Sequence, residues 1–564
     1  MANELYEKRR DQMFPKLTAA QLDRIAEHAR RFATLAGDVL VQPGQAHHEL
    51  MVVVSGSLEV GLPGLRGEEI VTVLTPGDFA GEMSTLRGVP GFVRIRVREA
   101  GEVLALSEES LRNLVQTDAE ISEIVMRAFI LRRMGLVASG QSDAMLIGSR
   151  HSPGTLRLRE FLTRNNYPYV SIDIESDSGI QALLDRFHVT VDEVPILIGR
   201  CGRVFRNPTI AQVAAFLQMN PDIDDSMVHD LVVVGAGPAG LAAAVYAASE
   251  GLDVLVIEAN APGGQAGTSS KIENYLGFPT GISGMALAGR ALVQSQKFGA
   301  TVSVACAARR LRCDRRPYAL ELSDGRVVQT STVIIATGAK YRDPGLGNLS
   351  KFLGAGVYYA ATHLEAKLCE GEEIIIVGGG NSAGQAAVFL ASSCRHVHMV
   401  VRSEGLAQTM SRYLIRRIEE NPCITLHAHT QLTALEGDER LQRVSWHNVA
   451  TGESETLEIG NVFLMTGAEP NTAWLDGCVA LDAKHFVRTG SELHAEDLTK
   501  AGWLLPRAPY LLETSLPGVF AVGDVRSDSV KRIASAVGEG SICVQFVHRA
   551  LAELSVPVRQ MAAA

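Results

Sequence analysis

The sequence predicts a multidomain α/β protein in which two Rossmann-like nucleotide-binding domains are nested, behind a small β-barrel and a compact α/β unit. Three observations lead to this prediction. The chain has 564 residues, which is too long for a single hydrophobic core. Two glycine-rich loops, at 235–240 and 378–383, each follow an apolar strand and precede a helix. Residues 33–106 alternate short apolar runs with turn dipeptides, which is typical of an antiparallel barrel or jelly roll.

The composition excludes some classes of protein. A net charge of −10 with 21% charged residues leaves no basic surface for nucleic acid. The apolar stretch 231–248 is about long enough to span a membrane, but its three glycines and proline form a nucleotide loop, so we expect no membrane span. The N-terminal residues lack the apolar core of a secretory signal, which favours a cytoplasmic location.

The eight cysteines are scattered, without a C-x-x-C motif or metal-ligand spacing. We therefore expect reduced, mostly buried thiols and no metal site.

Two N-terminal units precede the nucleotide-binding region. After the barrel, apolar residues at helical spacing predict one amphipathic helix over 111–134, ending near Gly135. Residues 145–218 then read as strand, helix, strand, helix, two strands and a helix. The polar stretch 220–229 predicts a linker into the larger α/β region.

The first glycine-rich loop has the full dinucleotide-binding pattern. Gly235 and Gly237 permit a tight turn against a pyrophosphate, and Gly240 lets the following helix pack closely on the strand. The helix N-terminus offers free N–H groups to the phosphates. Glu258, at the end of the second strand, can accept hydrogen bonds from ribose hydroxyls.

The second loop repeats the pattern with Gly378, Gly380 and Ala383. Its second strand ends at Arg402-Ser403, without an acid in the ribose position. An arginine there favours a 2′-phosphate, so NADP is predicted over NAD. Arg412 is a candidate for a second contact to this phosphate.

Two further strands connect the two halves. One ends at Thr337-Gly338, and the other ends at Gly523-Asp524 before a helix predicted from about Lys531. An aspartate at this point can hold the ribityl or pyrophosphate part of FAD. The second nucleotide fold therefore lies inside the first.

These motifs closely resemble the low-molecular-weight thioredoxin reductase family, within the pyridine nucleotide-disulfide oxidoreductases, over about 228–555. The similarity rests on GAGPAG, GGQ at 263–265, IENY at 272–275, ATG at 336–338, GGGNSAG and GD. It implies FAD in the outer domain, NADPH in the inserted domain, a homodimer, and rotation of the inserted domain. The implied FAD-binding residues are Gly235, Gly237, Pro238, Ala239, Gly240, Glu258, Gly264, Gln265, Asn274, Thr337, Gly338, Gly523, Asp524, Lys531, Arg532 and Ile533. The implied NADPH-binding residues are Gly378, Gly379, Gly380, Asn381, Ser382, Ala383 and Arg402.

The redox motif of that family is missing. Its pattern G-V-x-x-C-A-T-C-D reads here as residues 356–364, with Ala360 and His363 in place of the cysteines and Leu364 in place of the acid. Thiol-disulfide exchange needs two sulfurs, so direct thioredoxin reductase chemistry at this position is excluded.

The N-terminal units resemble other families. The barrel resembles a cyclic nucleotide-binding domain, with Gly81 and Glu82 in the phosphate-binding cassette. Gly91 replaces its phosphate-binding arginine, so cyclic-nucleotide binding is not expected, although Arg94 or Arg96 could substitute.

Residues 145–218 resemble a thioredoxin or glutaredoxin fold, with Pro195 at its cis-proline. Ser149-Arg150-His151-Ser152 stands where a C-x-x-C would be, so this unit cannot shuttle disulfides. Ser149 and His151 could be a nucleophile and a base, but the helix cap is the favoured interpretation.

The predicted domains are 1–140 for the barrel with its helix, 141–220 for the thioredoxin-like unit, 228–342 with 470–556 for FAD, and 343–469 for NADPH.

The favoured function is an enzyme that passes electrons from NADPH through FAD to a ferredoxin-like protein, a quinone, oxygen or another acceptor. His363 is the candidate proton donor, and a packing role is its alternative. Two other hypotheses stay open: a disulfide reductase that uses thiols of a partner or of Cys306 and Cys313, and a flavin-based redox sensor with regulatory N-terminal units.

Overall fold

The computed structural model describes residues 10–44, 49–64, 67–86, 91, 93–139, 144–149, 152–175, 193–199, 203–269, 271–342, 344–359, 361–438, 440–475 and 477–554.

The N-terminal module is a six-stranded antiparallel sheet followed by helices, as predicted. Its elements are α1 (Arg10–Met13), α2 (Ala19–Ala26), β1 (Arg30–Thr34), β2 (Val39–Val41), β3 (Glu49–Gly64), β4 (Gly67–Leu74), β5 (Phe79–Ala80), α3 (Glu82–Thr85), β6 (Arg94–Ser107), α4 (Glu108–Thr117) and α5 (Ala119–Ser139). The sheet order is β1-β6-β3-β4, with β2 on β6 and β5 on β3. Ile95 and Val97 of β6 are buried, because alternate residues of a strand face the core.

The prediction of one helix over 111–134 was wrong. The chain forms two helices that meet at Asp118, whose backbone is extended. The Asp118 side chain accepts hydrogen bonds from the backbone N–H groups of Glu120 and Ile121, at 3.1 and 3.0 Å. An aspartate at this position caps the second helix and interrupts the first, and the apolar spacing alone does not reveal it. The second helix also continues past Gly135 to Ser139.

The middle module comprises β7 (Met145–Gly148), α6 (Pro153–Arg164), β8 (Val170–Asp173), β9 (Ile196–Ile198), β10 (Val204–Arg206) and α7 (Ile210–Phe216). Its sheet has the order β10-β9-β7-β8, with β7 parallel to β8 and antiparallel to β9. The Val194–Pro195 peptide is cis, as predicted. The helix expected at 180–187, as well as Arg150 and His151, lies outside the described residues.

The first part of the outer α/β region consists of β11 (Val228–Val234), α8 (Pro238–Ser249), β12 (Val254–Ile257), α9 (Gly284–Lys297), β13 (Thr301–Ser303), β14 (Ala308–Arg312), β15 (Tyr318–Leu322), β16 (Val327–Ile335) and β17 (Ala339–Tyr341). Its central strands are buried on both faces, which explains the continuous apolar runs at β11 and β12. Strand β11 begins at Val228, so the last two residues of the predicted linker 220–229 belong to the strand.

The inserted region follows. Its elements are α10 (Leu349–Phe352), β18 (Val357–Tyr358), α11 (His363–Leu368), β19 (Glu373–Val377), α12 (Asn381–Leu390), β20 (His396–Val400), α13 (Arg412–Glu419), β21 (Ile424–His427), β22 (Thr430–Gly437), β23 (Leu441–Asn448), β24 (Ser454–Leu457) and β25 (Val462–Leu464). A parallel sheet of order β18-β25-β19-β20-β21 is accompanied by the antiparallel sheet β22-β23-β24. His398 of β20 and His427 of β21 are 3.1 Å apart between Nδ1 and Nε2, beside Trp446 of β23.

The chain then returns to the outer region through β26 (Ala468–Pro470), α14 (Ala495–Lys500), β27 (Val519–Ala521) and α15 (Ile533–Leu554). β26 pairs with β17, so the two connecting segments run side by side. β27 pairs with β16 and completes a seven-stranded sheet of order β13-β12-β11-β16-β15-β14. Strands from both sides of the inserted region therefore share one sheet.

The expectation that all cysteines are reduced was wrong. Cys313, after β14, and Cys478 form a disulfide with a Cα–Cα distance of 6.0 Å across 165 residues of sequence. The 3₁₀ turn Ala473–Leu475 packs on β14 and brings the two residues together, which no sequence spacing could reveal. Cys369 and Cys394 are free and buried, with their sulfurs 3.5 Å apart. Cys201 lies outside the described residues.

None of the helices in the described residues combines the length and apolar character needed to cross a membrane.

Candidate functional site

The loop after β11 forms a close-packed turn. Gly235 has a φ of +107°, and a Cβ there would lie 2.3 Å from the carbonyl oxygen of Ala336. A Cβ on Gly240 would lie 1.9 Å from the carbonyl oxygen of Gly235. Both positions therefore require glycine. Gly237 is different, because the nearest atom to its Cβ position is the Cα of Gly264 at 4.0 Å. This leaves an open cradle at the N-terminus of α8, where Pro238 and Ala239 form the first turn.

Glu258 follows β12 and stands beside this cradle. Its Oε2 accepts from the backbone N–H of Ala236 at 2.8 Å, and its Oε1 accepts from Asn260 at 2.9 Å. Burial raises the pKa of Glu258, and the two backbone hydrogen bonds oppose this shift. Each carboxylate oxygen has further lone pairs, so the residue fits a pair of ribose hydroxyls.

The opposite wall comes from the segments that follow β16 and Gly263. Gln265 donates through Nε2 to the carbonyl oxygen of Ala339 at 2.5 Å. Thr337 donates to the carbonyl oxygen of Asn471 at 2.8 Å, which ties this wall to the returning chain. Gly338 has a φ of +62° and open space at its Cβ position. Asn274 is exposed in the IENY segment.

The segment after β27 completes the outer site. Asp524 lies in a 3₁₀ turn, and burial raises its pKa while nearby Lys531 lowers it. Lys531 donates to the backbone carbonyl of Asp524 at 2.6 Å. The helix predicted from about Lys531 begins at Ile533, so Lys531 and Arg532 lie in the loop before it.

Glu539 of α15 was missed by the sequence reasoning. Its Oε2 accepts from the backbone N–H of Gly523 at 2.6 Å, and its Oε1 accepts from Arg526 at 2.7 Å. Glu539 therefore orients the Gly523-Asp524 turn from the neighbouring helix. Its position two turns into a predicted helix was the only sequence signal.

These features fit FAD: an open glycine cradle at a helix N-terminus, a buried carboxylate at the ribose position, and a second carboxylate across the sheet.

The second loop has the same construction. A Cβ on Gly378 would lie 2.2 Å from the carbonyl oxygen of Met465, whereas Gly380 has nothing within 4 Å. Ala383 is fully buried on α12, where a third glycine is common. Asn381 accepts from the backbone N–H of Ser411 at 2.9 Å, so the loop is joined to the start of α13. Gly379 accepts from the Thr409 hydroxyl at 2.7 Å.

Arg402 lies two residues beyond β20, which ends at Val400 rather than at Arg402. Arg402, Ser403 and Arg412 are all exposed beside this loop. An exposed guanidinium can bind a phosphate bidentately. Ser382 lies in the first turn of α12.

The segment that replaces the redox motif leads into α11, which begins at His363. Ala360 and the side chain of His363 lie outside the described part of the structure. Tyr358 packs on Phe463 with ring centroids 5.3 Å apart, and burial raises its pKa to about 12. Tyr358 therefore stays protonated at neutral pH.

Glu365 is a second residue that the sequence reasoning missed. It is buried, and it accepts from the backbone N–H of Thr362 at 2.8 Å and from the Thr362 hydroxyl. Burial raises the pKa of its carboxyl. The spacing Thr-x-x-Glu is a helix N-terminal signature, and it could have indicated this contact.

The inserted region contacts both the outer domain and the middle module. Arg417 of α13 pairs with Glu273 of the IENY segment at 2.8 Å. Gly354 lies against the middle module, since a Cβ on it would be 3.6 Å from the Cα of Pro153.

Cys306 and Cys313, the internal thiols of the disulfide-reductase hypothesis, do not form a pair with each other. Cys313 is bonded to Cys478, and Cys306 is buried beside Asp324 with its pKa raised by burial. Among the described residues there is no group of three or more His, Cys, Asp or Glu side chains that could hold a metal ion.

In the barrel, Glu82 is buried and paired with Arg132 of α5 at 2.9 Å. Arg132 also donates to the backbone carbonyls of Phe79 and Met13. The two candidate substitutes for the missing arginine are engaged elsewhere: Arg94 pairs with Glu68 and Arg96 with Glu59. Both lie on the face of β6 opposite its buried residues.

Two family profiles match the chain. The family described as pyridine nucleotide-disulphide oxidoreductase matches residues 229–540, and the cyclic nucleotide-binding domain matches residues 33–118.

Similar proteins include a thioredoxin reductase of Treponema pallidum (strain Nichols), 31% identical over 315 residues, 56% of this chain and 94% of that protein. An NADH dehydrogenase of Bacillus subtilis (strain 168) is 31% identical over 317 residues, 56% of this chain and 57% of that protein. The crystal structure of Lactococcus lactis thioredoxin reductase has a TM-score of 0.52 at 26% identity, covering 58% of this chain and 99% of that one.

Proposed function

Because the chain belongs to the pyridine nucleotide-disulphide oxidoreductase family, we propose that it is an FAD-dependent oxidoreductase that takes electrons from NADPH and delivers them to an acceptor outside the family's disulfide pair. One observation carries the proposal: two complete nucleotide loops accompany a segment, residues 360–363, that has no thiol. Thiol-disulfide exchange is therefore not available there. A ferredoxin-like protein, a quinone and oxygen are the candidate acceptors.

The outer site has the residues to hold FAD. The cradle at Gly237 and the N-terminus of α8 would bind the pyrophosphate, and Glu258 would accept from the ribose. Asp524 would bind the ribityl or pyrophosphate part from across the sheet. When bound, FAD supplies a ring that accepts a hydride and releases electrons.

The second loop is proposed to bind NADPH. Arg402 and Arg412 are exposed beside it, and neither forms an ion pair with another of the described residues. Because an acid is missing at the end of β20, NADH would lose the contact that its ribose normally makes. NADH remains the alternative donor, since one similar protein is an NADH dehydrogenase.

His363 is proposed as the proton donor to the acceptor, because imidazole exchanges a proton near neutral pH. Glu365 is the second group near this helix start that can hold a proton, since burial raises the pKa of its carboxyl.

The wider organisation is proposed as follows. Residues 1–140 form the barrel module, 141–220 a thioredoxin-like module, 228–342 with 470–556 the FAD domain, and 343–469 the NADPH domain. We propose a cytoplasmic homodimer without a membrane span or a nucleic-acid partner.

The second candidate function is a flavin-based redox sensor. It is favoured by the packing of the N-terminal module on the outer domain, where Val293 of α9 joins the apolar core of α4 and α5. The barrel is not proposed to bind a cyclic nucleotide, because Glu82 is paired internally with Arg132. Micromolar binding of cAMP or cGMP in calorimetry would contradict this.

A disulfide reductase with internal thiols is the third possibility. Among the described residues, the two free thiols that contact each other are those of Cys369 and Cys394, and not those of Cys306 and Cys313. Turnover of a disulfide substrate that disappears when Cys369 and Cys394 become serine would support it.

The main experiment is anaerobic stopped-flow spectroscopy of the full chain reconstituted with FAD. We expect NADPH to bleach the flavin band within seconds and NADH to do so more slowly. If neither nucleotide bleaches the flavin band, the proposed enzymatic function is refuted and the redox-sensor function remains. Re-oxidation by each acceptor class, measured in the same instrument, then identifies the electron acceptor.

A further inference from the structure

The C-terminal end of α6, in the middle module, lies against the loop that follows β12. Arg164 donates through Nη2 to the carbonyl oxygen of Gly264 at 2.9 Å. The next residue, Asn165, donates through Nδ2 to the carbonyl oxygen of Asn260 at 3.3 Å. The middle module thus contacts the outer domain at two points of one loop.

Both contacted residues adjoin the proposed FAD cradle. A Cβ on Gly264 would lie 3.1 Å from the Cα of Gly237, so the two glycines face each other across the loop. Asn260 donates its backbone N–H to Glu258 at 2.9 Å. A shift of the loop would therefore move the ribose and pyrophosphate contacts together.

The Arg164 side chain is mostly buried and incompletely paired. Its Nη1 contacts Glu160 of the same helix at 3.2 Å, and its charge lowers the pKa of the Glu258 carboxyl against the larger effect of burial. Its Nε is buried and has no hydrogen-bond partner in the described structure. Glu160 is more exposed than Arg164 and engages only Nη1, so the guanidinium can still balance a second anion, and a pyrophosphate is such an anion.

The module is held firmly in this position. Leu158, Phe161 and Leu162 of α6 belong to the same apolar core as Leu231 and Val233 of β11. Arg164 therefore projects from a packed helix and not from a loose surface segment.

We propose that the middle module forms part of the FAD site: Arg164 contributes positive charge beside the pyrophosphate cradle, and Asn165 fixes the 258–265 loop. A module without a C-x-x-C motif would then act as a clamp on the flavin nucleotide and not as an electron carrier. This inference rests on the proposed FAD-dependent function.

The test uses the full-length apoprotein, with FAD affinity measured by quenching of flavin fluorescence. We expect Arg164→Gln to weaken FAD binding about tenfold, the loss typical of one charge-assisted contact. Arg164→Lys should recover part of the affinity because it keeps the charge. Arg157→Gln is the matched control, since Arg157 lies on the same helix and contacts Pro208 within the module. Equal FAD affinity in Arg164→Gln and Arg157→Gln would overturn the inference.

Hydrogen exchange provides a second readout that does not depend on a variant's folding. In the wild-type protein, FAD should slow exchange of the backbone amides at 161–166 relative to the apoprotein. Unchanged exchange there, with slowed exchange at 235–240, would refute the clamp while leaving the proposed function intact. A wild-type protein that binds no FAD would refute the proposed function itself.

Discussion

Two glycines on α15 give a sharp test of how this helix supports the FAD loop. A Cβ on Gly540 would lie 2.1 Å from the carbonyl oxygen of Ala239, in the first turn of α8. Gly538, two residues earlier, has nothing within 4 Å of its Cβ position. Both are helical, so alanine removes the same backbone freedom at each.

The two substitutions should have effects of opposite sign. Alanine in a helix is worth about 1 kcal/mol over glycine, so Gly538→Ala should stabilise the protein by up to that amount. At Gly540 the two helices must separate by roughly 1 Å, and overpacking of this kind costs about 1–3 kcal/mol. The net effect of Gly540→Ala is a loss of up to about 2 kcal/mol, concentrated where the pyrophosphate would bind.

The assay is thermal release of FAD, followed by flavin fluorescence. FAD is released when the domain unfolds, and one kcal/mol of stability shifts the midpoint of thermal unfolding by about 2–4 °C in a domain of this size. We expect Gly538→Ala to raise the release temperature slightly and Gly540→Ala to lower it by several degrees. A Gly540→Ala protein that releases FAD at or above the wild-type temperature would refute the close packing of α15 on α8.

Three further outcomes are expected. Arg402→Ala should raise the KM for NADPH about tenfold and leave that for NADH unchanged, because an exposed charge-assisted phosphate contact is lost; equal changes for both nucleotides would contradict the 2′-phosphate assignment. Burial lowers the pKa of His398 and His427 below the ordinary 6.5, so the unfolded chain binds protons more readily below that pH. Stability should therefore fall as the pH drops below about 6.5. The melting temperature of the His398→Gln/His427→Gln variant should depend less on pH over that range than the melting temperature of the wild-type protein. Replacing Cys313 and Cys478 by serine opens a loop spanning 165 residues and should lower stability by about 5 kcal/mol at most, measured by urea unfolding, with flavin reduction by NADPH unaffected.

The sequence predicted the parts of the site that depend on local backbone geometry. Gly235 and Gly378 have positive φ in close-packed turns, and such turns leave a glycine pattern that can be recognised. The resemblance to thioredoxin reductases and to a cyclic nucleotide-binding domain is confirmed by the profile matches. The antiparallel barrel and strand β12, which ends just before Glu258, rest on the same kind of local signal.

Features that depend on tertiary packing could not be predicted in this way. The Cys313–Cys478 bond joins segments separated by 165 residues, and the contacts of Glu539 depend on how α15 lies against the sheet. The interruption at Asp118 lies between these cases. Its side chain contacts are local, but the apolar periodicity continues through it and gave the stronger signal.

The buried pair Glu82–Arg132 has a consequence for any attempt to engineer a cyclic-nucleotide switch into this protein. Arginine at position 91 has room, since the nearest atom to a Cβ there is the Ser84 hydroxyl oxygen at 3.6 Å. That single change would supply the arginine that the phosphate-binding cassette lacks, while Oε2 of Glu82 would still be paired with Arg132 of α5. Releasing Glu82 by removing Arg132 would strand a charge in the core, at a cost of about 3–5 kcal/mol. A response to cyclic nucleotides therefore requires at least two replacements, one at position 91 and one at Arg132. The second of them destabilises the protein unless the charge of Glu82 is balanced in another way.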